Sequence, residues 1–179
     1  MLRSNASILN EYSNTASQQI TKIQRDFFGN VIKLINPIGQ EFRNKYDDRN
    51  LLLEETKFSN TEFPLKTKYH YDRVGNLDKV TYPDGNIETF KYGELGNGDP
   101  YARLVSQTNH LGVVQEISYG SRDEITQKII KDSLNSILQT HTFSFDEKGR
   151  LIESDINGLT SQLFYDKDLS LIHISEPTS

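Results

Sequence analysis

The sequence predicts an all-β fold, an array of antiparallel β-hairpins laid side by side into one long, curved sheet. Three observations carry the prediction. Nine Tyr and nine Phe supply much of the apolar bulk, against one Met and no Trp or Cys, and aromatic and β-branched residues favour strands. Apolar and polar residues alternate with period two in segment after segment, while the helical period holds nowhere over a useful length. Finally, a unit of about 20 residues recurs along the chain, the signature of a repeat architecture.

The repeat is clearest when aligned on the aromatic that opens YDRVGNL, Tyr71 to Leu77. Tyr46, Tyr71, Tyr92, Tyr119, Phe145 and Tyr165 fall in this slot and Arg25 takes it once, at steps of 21, 25, 21, 27, 26 and 20 residues. The next residue is Asp26, Asp47, Asp72, Asp146 or Asp166, with Gly93 and Gly120 in the other two units. Four residues past the aromatic stand Gly29, Asn50, Gly75, Gly96, Asp123 and Gly149, three residue types that tolerate a positive φ. Two residues further come Val31, Leu52, Leu77, Ile125 and Leu151; the Tyr92 unit reaches this step at Leu104, after the insertion GNGDPYAR.

The second half of the unit repeats as well. Val31, Ile35, Gly39 and Tyr46 are spaced 4, 4 and 7, as are Leu77, Thr81, Gly85, Tyr92 and Leu104, Thr108, Gly112, Tyr119. The unit from Leu151 is one residue shorter, reaching Gly158 and then Tyr165. Each unit therefore has two turns. In the D-x-x-G turn Asp caps local N–H groups and Gly supplies the left-handed residue that closes the loop. In the P-x-G turn of NPIG and YPDG, Pro fixes φ at the corner and Gly again supplies positive φ.

Along the chain, residues 1–24 are polar and less regular, with ASILNEY and QQITKIQ reading as one degenerate hairpin. Residues 25–168 are the repeat region, whose segments KVTYP, IETFKY, RLVSQT, VVQEISY, HTFSF and RLIES alternate as half-buried strands do. Tyr69, Phe90, Ile117 and Phe143 stand two before the aromatic slot and share its face, so each strand ends in a pair against which cross-strand neighbours pack. Residues 169–179 differ in kind: LSLIHISEPT, Leu169 to Thr178, matches the translation of a transposase-type sequencing-library adapter, and Ser179 alone departs from it. Such a scar is left out of fold and site reasoning, and the native chain is expected to continue past Asp168. An interior slice of this kind has an unpaired strand at each sheet edge and is expected to self-associate.

The net charge of −5 is spread along the chain with no basic run, which argues against nucleic acid as a partner. The lack of Cys excludes disulfides and thiolate metal sites but leaves the compartment open. No apolar run has the length of a membrane-spanning helix, and the N-terminal stretch lacks a signal peptide's apolar segment. His70, His110 and His141 fall in different units without metal-type spacing, and His70 should face away from Tyr69 and Tyr71. The recurring Asp residues could be read as paired acids of a glycosidase, but recurrence at one turn slot is what backbone capping requires. The loop Gly96–Pro100 has the small polar residues of a calcium loop without its run of carboxylates. No nucleophile elbow, phosphate loop or nucleophile–base pair is visible. The expectation is no enzyme, with no catalytic residue, metal or cofactor; the repeat residues are structural.

Written as Y-x-Y-D-x-x-G-x-L followed by P-x-G, the unit resembles that of the YD-repeat, or Rhs (rearrangement hotspot), family, most closely over Tyr69–Tyr92 and in all over about residues 25–168. Members are very large proteins, among them bacterial polymorphic toxins, shell components of insecticidal toxin complexes, wall-associated proteins and animal teneurins. The resemblance implies repeats wound into a β-shell, in bacterial toxins enclosing a variable C-terminal toxin domain. The partners it implies are the remaining repeats of the parent chain and an enclosed cargo domain. The location it implies is secreted or cell-surface. Gly93, Gly120 and the insertion after Tyr92 depart from the pattern. The boundary segment R-x-x-x-x-D-P-x-G that would precede a toxin domain is absent, and Asn36-Pro37-Ile38-Gly39 fits the ordinary second turn instead. The alternative reading is an adhesive or glycan-binding array whose tyrosine face contacts sugars or a cell-surface partner.

Overall fold

The computed structural model describes residues 8–14, 19–93, 102–166 and 171–175, with side-chain surroundings for 20–93 and 102–166. Among the described residues every regular element is a strand, fifteen in all. The chain divides into two units, residues 1–87 and 88–179. The first carries β1 (Ile8–Asn14), β2 (Gln19–Arg25), β3 (Val31–Ile35), β4 (Glu41–Tyr46), β5 (Leu52–Lys57), β6 (Leu65–Tyr71) and β7 (Leu77–Thr81). β8 (Ile87–Tyr92) begins at the boundary. The second unit continues with β9 (Leu104–Thr108), β10 (Val114–Tyr119), β11 (Ile125–Lys131), β12 (Ile137–Phe145), β13 (Leu151–Ile156), β14 (Leu159–Tyr165) and β15 (Leu171–Ser175).

Within each unit every strand pairs antiparallel with its neighbours in sequence, so successive turns lie at alternate ends of the sheet. The D-x-x-G turns occupy one end and the second turns the other. β1 pairs with β2 from Ile8↔Arg25 to Asn14↔Gln19, and β15 pairs with β14 through Leu163↔Ile174.

The ladder carries a feature that the alternation did not predict. Its register shifts by one residue at every aromatic slot: at Arg25, Tyr46, Tyr71, Tyr92, Tyr119, Phe145 and Tyr165. The extra residue belongs to the following strand, as Asp78 does between Tyr71↔Leu77 and His70↔Lys79. Such bulges sharpen the local twist and bend the bulged strand. The second turns Asn36–Gln40 and Asn109–Val113 leave the register unbroken.

Two further connections differ from the expected unit. β5 and β6 are joined by residues 58–64, which fold back on the start of β4: Ser59 N–H donates to the Glu41 carbonyl at 2.9 Å, and Asn60 Nδ2 donates to Gly39 O at 3.0 Å. Between β11 and β12 lies an Asp-type turn, Asp132–Ser136, with Asn135 at φ 67° and Lys131 in place of the aromatic. It sits at the opposite end of β12 from the Asp146 turn.

A single sheet layer encloses little. Val80, at 5% exposure, is the buried apolar residue among those described; Glu41 and Thr56, at 8% and 7%, are the buried polar ones. The register puts Phe42, Tyr46, Leu52, Tyr69, Tyr71, Leu77 and Val80 on the better-covered face of the first unit. Lys33, Arg43, Lys45, Glu54, Lys66, Lys68 and Lys79 lie on the other. β6 shows the contrast directly, with Thr67, Tyr69 and Tyr71 half-buried and Lys66, Lys68 and His70 exposed.

Candidate functional site

The recurring node joins three parts: an Asp-capped turn, the aromatic before it, and the first carbonyl of the neighbouring strand. In the Tyr71 unit, Asp72 N–H donates to Asn76 O at 2.9 Å, and Gly75 N–H donates to Asp72 O at 3.2 Å. Gly75 has φ 99°. This is the three-residue hairpin loop closed by a left-handed residue. Asp72 Oδ1 accepts from the N–H groups of Val74, Gly75 and Asn76 at 2.9, 2.8 and 2.9 Å, and Oδ2 accepts from Asn76 Nδ2 at 3.0 Å.

The other turns follow the same plan. Asp47 Oδ1 accepts from Arg49 and Leu51 N–H, both at 2.9 Å; Asp146 Oδ1 accepts from Lys148 and Arg150 N–H, both at 2.9 Å. The left-handed positions are Gly29, Asn50, Gly75, Asp123 and Gly149, with φ of 88°, 65°, 99°, 68° and 80°. For Asp47 and Asp72, desolvation pushes the carboxyl up, but the converging N–H donors outweigh it and hold both below the ordinary value. For Asp146 the Arg150 N–H leads in holding it down. A carboxylate whose lone pairs are filled by its own turn is a cap, not a proton carrier. Asp166 lies among the described residues, whereas residues 167–170 and the Gly96–Pro100 loop do not.

The second turns share this frame. Asn36 N–H donates to Gln40 O at 3.0 Å and Gly39 N–H to Asn36 O at 2.9 Å, while Asn36 Oδ1 accepts from Ile38 and Gln40 N–H. Asn109 does the same for Leu111 and Val113. At Asn36 and Asn109 the second turn is thus an Asx-x-x-Gly turn capped by Asn; the Tyr82–Asn86 turn keeps the backbone frame without an Asx at its start, and Asp84 Oδ1 accepts from Asn86 N–H at 3.0 Å instead. Gly39, Gly85 and Gly112 have φ of 84°, 86° and 76°. The short Leu151 unit closes differently, on Asn157 and Gly158 with φ of 55° and 89°, the two-residue Asn-Gly hairpin turn.

Gly120 explains how a unit survives without its Asp. The Glu124 carboxylate folds into the space that a side chain would take, its Oε1 only 2.5 Å from the site of a Cβ. Its Oε2 accepts from Arg122 N–H at 2.8 Å. The cap has moved four residues downstream.

The aromatics do more than pack. Tyr71 Oη donates to Leu52 O at 3.0 Å, Tyr119 Oη to Leu104 O at 2.9 Å and Tyr165 Oη to Leu151 O at 2.7 Å. Tyr46 Oη lies 3.4 Å from Val31 O, a carbonyl that also accepts from Asn44 Nδ2 at 3.0 Å. Each acceptor is the first residue of the preceding strand, so every such tyrosine fastens its hairpin to the one before. Burial, assisted by the Asp47 charge, pushes the Tyr71 hydroxyl up and keeps it a donor. Arginines cover two of the rings: Arg103 over Tyr119 at 4.4 Å and Arg150 over Tyr165 at 4.5 Å, contacts worth about 0.5–1 kcal/mol each at partly exposed sites. Neighbouring turns are also linked directly, Asn30 Nδ2 to Asn50 Oδ1 at 3.0 Å and Arg122 Nη2 to Asp146 O at 2.9 Å. Sequence reasoning missed the hydroxyl bonds, though the preference for Tyr over Phe in the slot was a signal for them. Tyr92, Gly85, Gly112, Phe145 and Leu151 hold the matching positions of their units, Phe145 without a hydroxyl.

The residues of catalytic type stay apart. His70 Nδ1 contacts Asp78 Oδ1 at 2.5 Å on the exposed face, His110 is at a turn tip, and His141 lies beside Phe143 with ring centroids 6.4 Å apart. Among the described residues no group of three His, Cys, Asp or Glu is placed to hold a metal. A depression of 90 Å³ between β2 and β3, lined by Lys22, Gln24, Lys33 and Ile35, is well below the size of ordinary ligand pockets.

No family model and no curated protein matches the chain. Among solved structures, the TcdB2–TccC3–Cdc42 crystal structure is similar at 12% identity and a TM-score of 0.41, over 87% of this chain and 13% of that one. The Photorhabdus luminescens Tc holotoxin pore gives the same identity and score over 87% and 12%. TcdB2–TccC3 gives 12% and 0.40 over 87% and 13%. The chain thus spans about an eighth of the length of these chains, and a likeness at this level carries no functional argument.

Proposed function

We propose that the chain is a structural segment of a large Rhs/YD-repeat protein, a stretch of β-wall whose parent encloses a toxin or other cargo domain, secreted or at the cell surface. The observation that carries the reading is the fastening of one hairpin to the previous one by a tyrosine hydroxyl at Tyr71, Tyr119 and Tyr165. A unit so tied has its polar groups committed to its neighbours, as a load-sharing wall requires and a reaction centre does not. The caps at Asp47, Asp72 and Asp146 are committed likewise. We assign the segment no catalytic role. The glycan-binding alternative has less support: stacking needs open aromatic faces, and those of Tyr119 and Tyr165 are covered by arginine.

Recovery of the flanking gene is the test. Further repeats, a boundary segment and a variable C-terminal domain are the expected outcome. A surface anchor or lectin module in their place, with binding of the chain on a glycan array, would overturn the reading.

A further inference from the structure

We propose that the cationic face of the first unit docks on an anionic phospholipid bilayer. Arg43 and Lys66 share one cross-strand row with Thr56 between them; Lys45 and Lys68 share the next with Glu54 between them. All four cations are exposed. Strands stand about 4.8 Å apart and alternate residues about 6.7 Å along a strand, so these four mark a rectangle of about 10 by 7 Å. That area is comparable to the footprint of one phospholipid head group. Lys79, also exposed, extends the array diagonally from Lys68.

The carboxylates on this face are already engaged. Glu41 is held by Lys33 at 2.7 Å and Arg43 at 2.6 Å, Glu54 by Lys45 at 3.1 Å, and Asp78 faces His70. Lys66, Lys68 and Lys79 make no ion pair among the described residues. Glu41 already offsets Lys33 opposite Arg43, so the charge that remains for a partner is that of Lys66, Lys68 and Lys79.

The layout favours a planar partner over a linear one. The cations form a two-dimensional array with only a shallow depression, not a groove. The Phe and Tyr side chains of β4 and β6 point to the opposite face, so these strands offer no Phe or Tyr ring for base stacking here. A bilayer rich in anionic lipid presents a plane of negative charge, and clusters of 4–8 Lys/Arg are the usual size of a segment attracted to one. The chain as a whole carries −5, which repels such a surface; attraction must come from this face alone.

The test is co-sedimentation of the full chain with phosphatidylcholine vesicles, with and without phosphatidylserine, at low and high salt. Binding is expected on the phosphatidylserine vesicles only, and lost at high salt. Lys66→Glu with Lys68→Glu and Lys79→Glu should weaken it by about a hundredfold or more. The corresponding triple Gln variant, the milder change at exposed strand positions, should weaken it by a smaller factor. Lys57→Glu with Lys128→Glu and Lys148→Glu makes the same change in net charge without altering any residue of this array and should leave binding intact. Equal loss in that control, binding without preference for phosphatidylserine, or displacement by duplex DNA or polyglutamate from vesicles at matched charge would overturn the proposal.

Discussion

Replacing Tyr71 with Phe removes one oxygen and leaves the ring, its packing and the backbone of β6 unchanged. What is lost is the hydrogen bond from Tyr71 Oη to Leu52 O, 3.0 Å long and partly buried. A bond of this kind contributes about 0.5–1.5 kcal/mol net, because the unfolded chain offers the same groups to water. The expected cost is therefore about 1 kcal/mol, or about 2–4 °C in Tm for a chain of this size. The structure supplies internal controls. Tyr165→Phe, where the bond is 2.7 Å, should cost as much or more. Tyr46→Phe should cost almost nothing, since its 3.4 Å contact competes with Asn44 for the same carbonyl. Phe145 stands in the same slot and the preceding strand begins at Ile125, so Phe145→Tyr should gain up to about 1 kcal/mol by reaching that carbonyl. Urea titrations followed by circular dichroism, compared by midpoint at constant slope, measure all four. Equal costs at Tyr46 and Tyr71, or a neutral Tyr71→Phe, would show that the slot selects a ring and not a hydroxyl.

Other perturbations separate backbone from side-chain causes. Gly75→Val should cost about 1–2 kcal/mol through its positive φ, since a Cβ there meets only Leu51 Cδ1 at 3.7 Å. Gly75→Asn should cost clearly less, because Asn50 and Asn135 already hold that conformation; the same urea titration decides. Gly120→Ala should displace Glu124 and uncap Arg122, costing about 1 kcal/mol. Gly120→Asp should be tolerated, because the new carboxylate restores the cap found at Asp72; a thermal melt that ranks Asp below Ala would refute the exchange. Glu41 is held at about 2, against 4.5 unperturbed, by its bond to Lys33, assisted by Arg43 and Ser59 and opposed by burial. Its folded-state value is depressed, so its stabilisation is complete above about pH 4.5 and fades as pH falls towards 2. A melting profile across that range should flatten in Glu41→Gln, and an unchanged profile would count against the Lys33–Glu41–Arg43 cluster.

The all-β array could be read from the sequence because each turn carries residue types that few other settings favour. Gly29, Gly75 and Gly149 stand where the backbone needs positive φ, and Asp47, Asp72 and Asp146 where several N–H groups converge. Period-two alternation then fixes which side chains share a face. What remained hidden depends on contacts between strands. The one-residue shift at each aromatic slot changes no residue type, because Asp78, Leu53 and Thr126 look like ordinary strand residues. The Asp132 turn was missed because its slot holds Lys131, not an aromatic, and the fold-back of residues 58–64 because it answers to Glu41, 18 residues away. At Gly120 the lost cap was visible, but its replacement by Glu124 requires knowing that the two occupy one space.

The tyrosine fastening also has a direction in time. Its acceptor always comes first in the chain: Leu52 before Tyr71, Leu104 before Tyr119, Leu151 before Tyr165, by 14 to 19 residues. A chain emerging from the ribosome N-terminus first therefore presents each anchoring carbonyl before the hydroxyl that will seize it. Each new hairpin can latch onto an edge that already exists, through contacts between near neighbours in sequence, which are the quickest to form. No hairpin has to wait for one not yet made, so an array of such hairpins can be laid down one after another as the chain is synthesised.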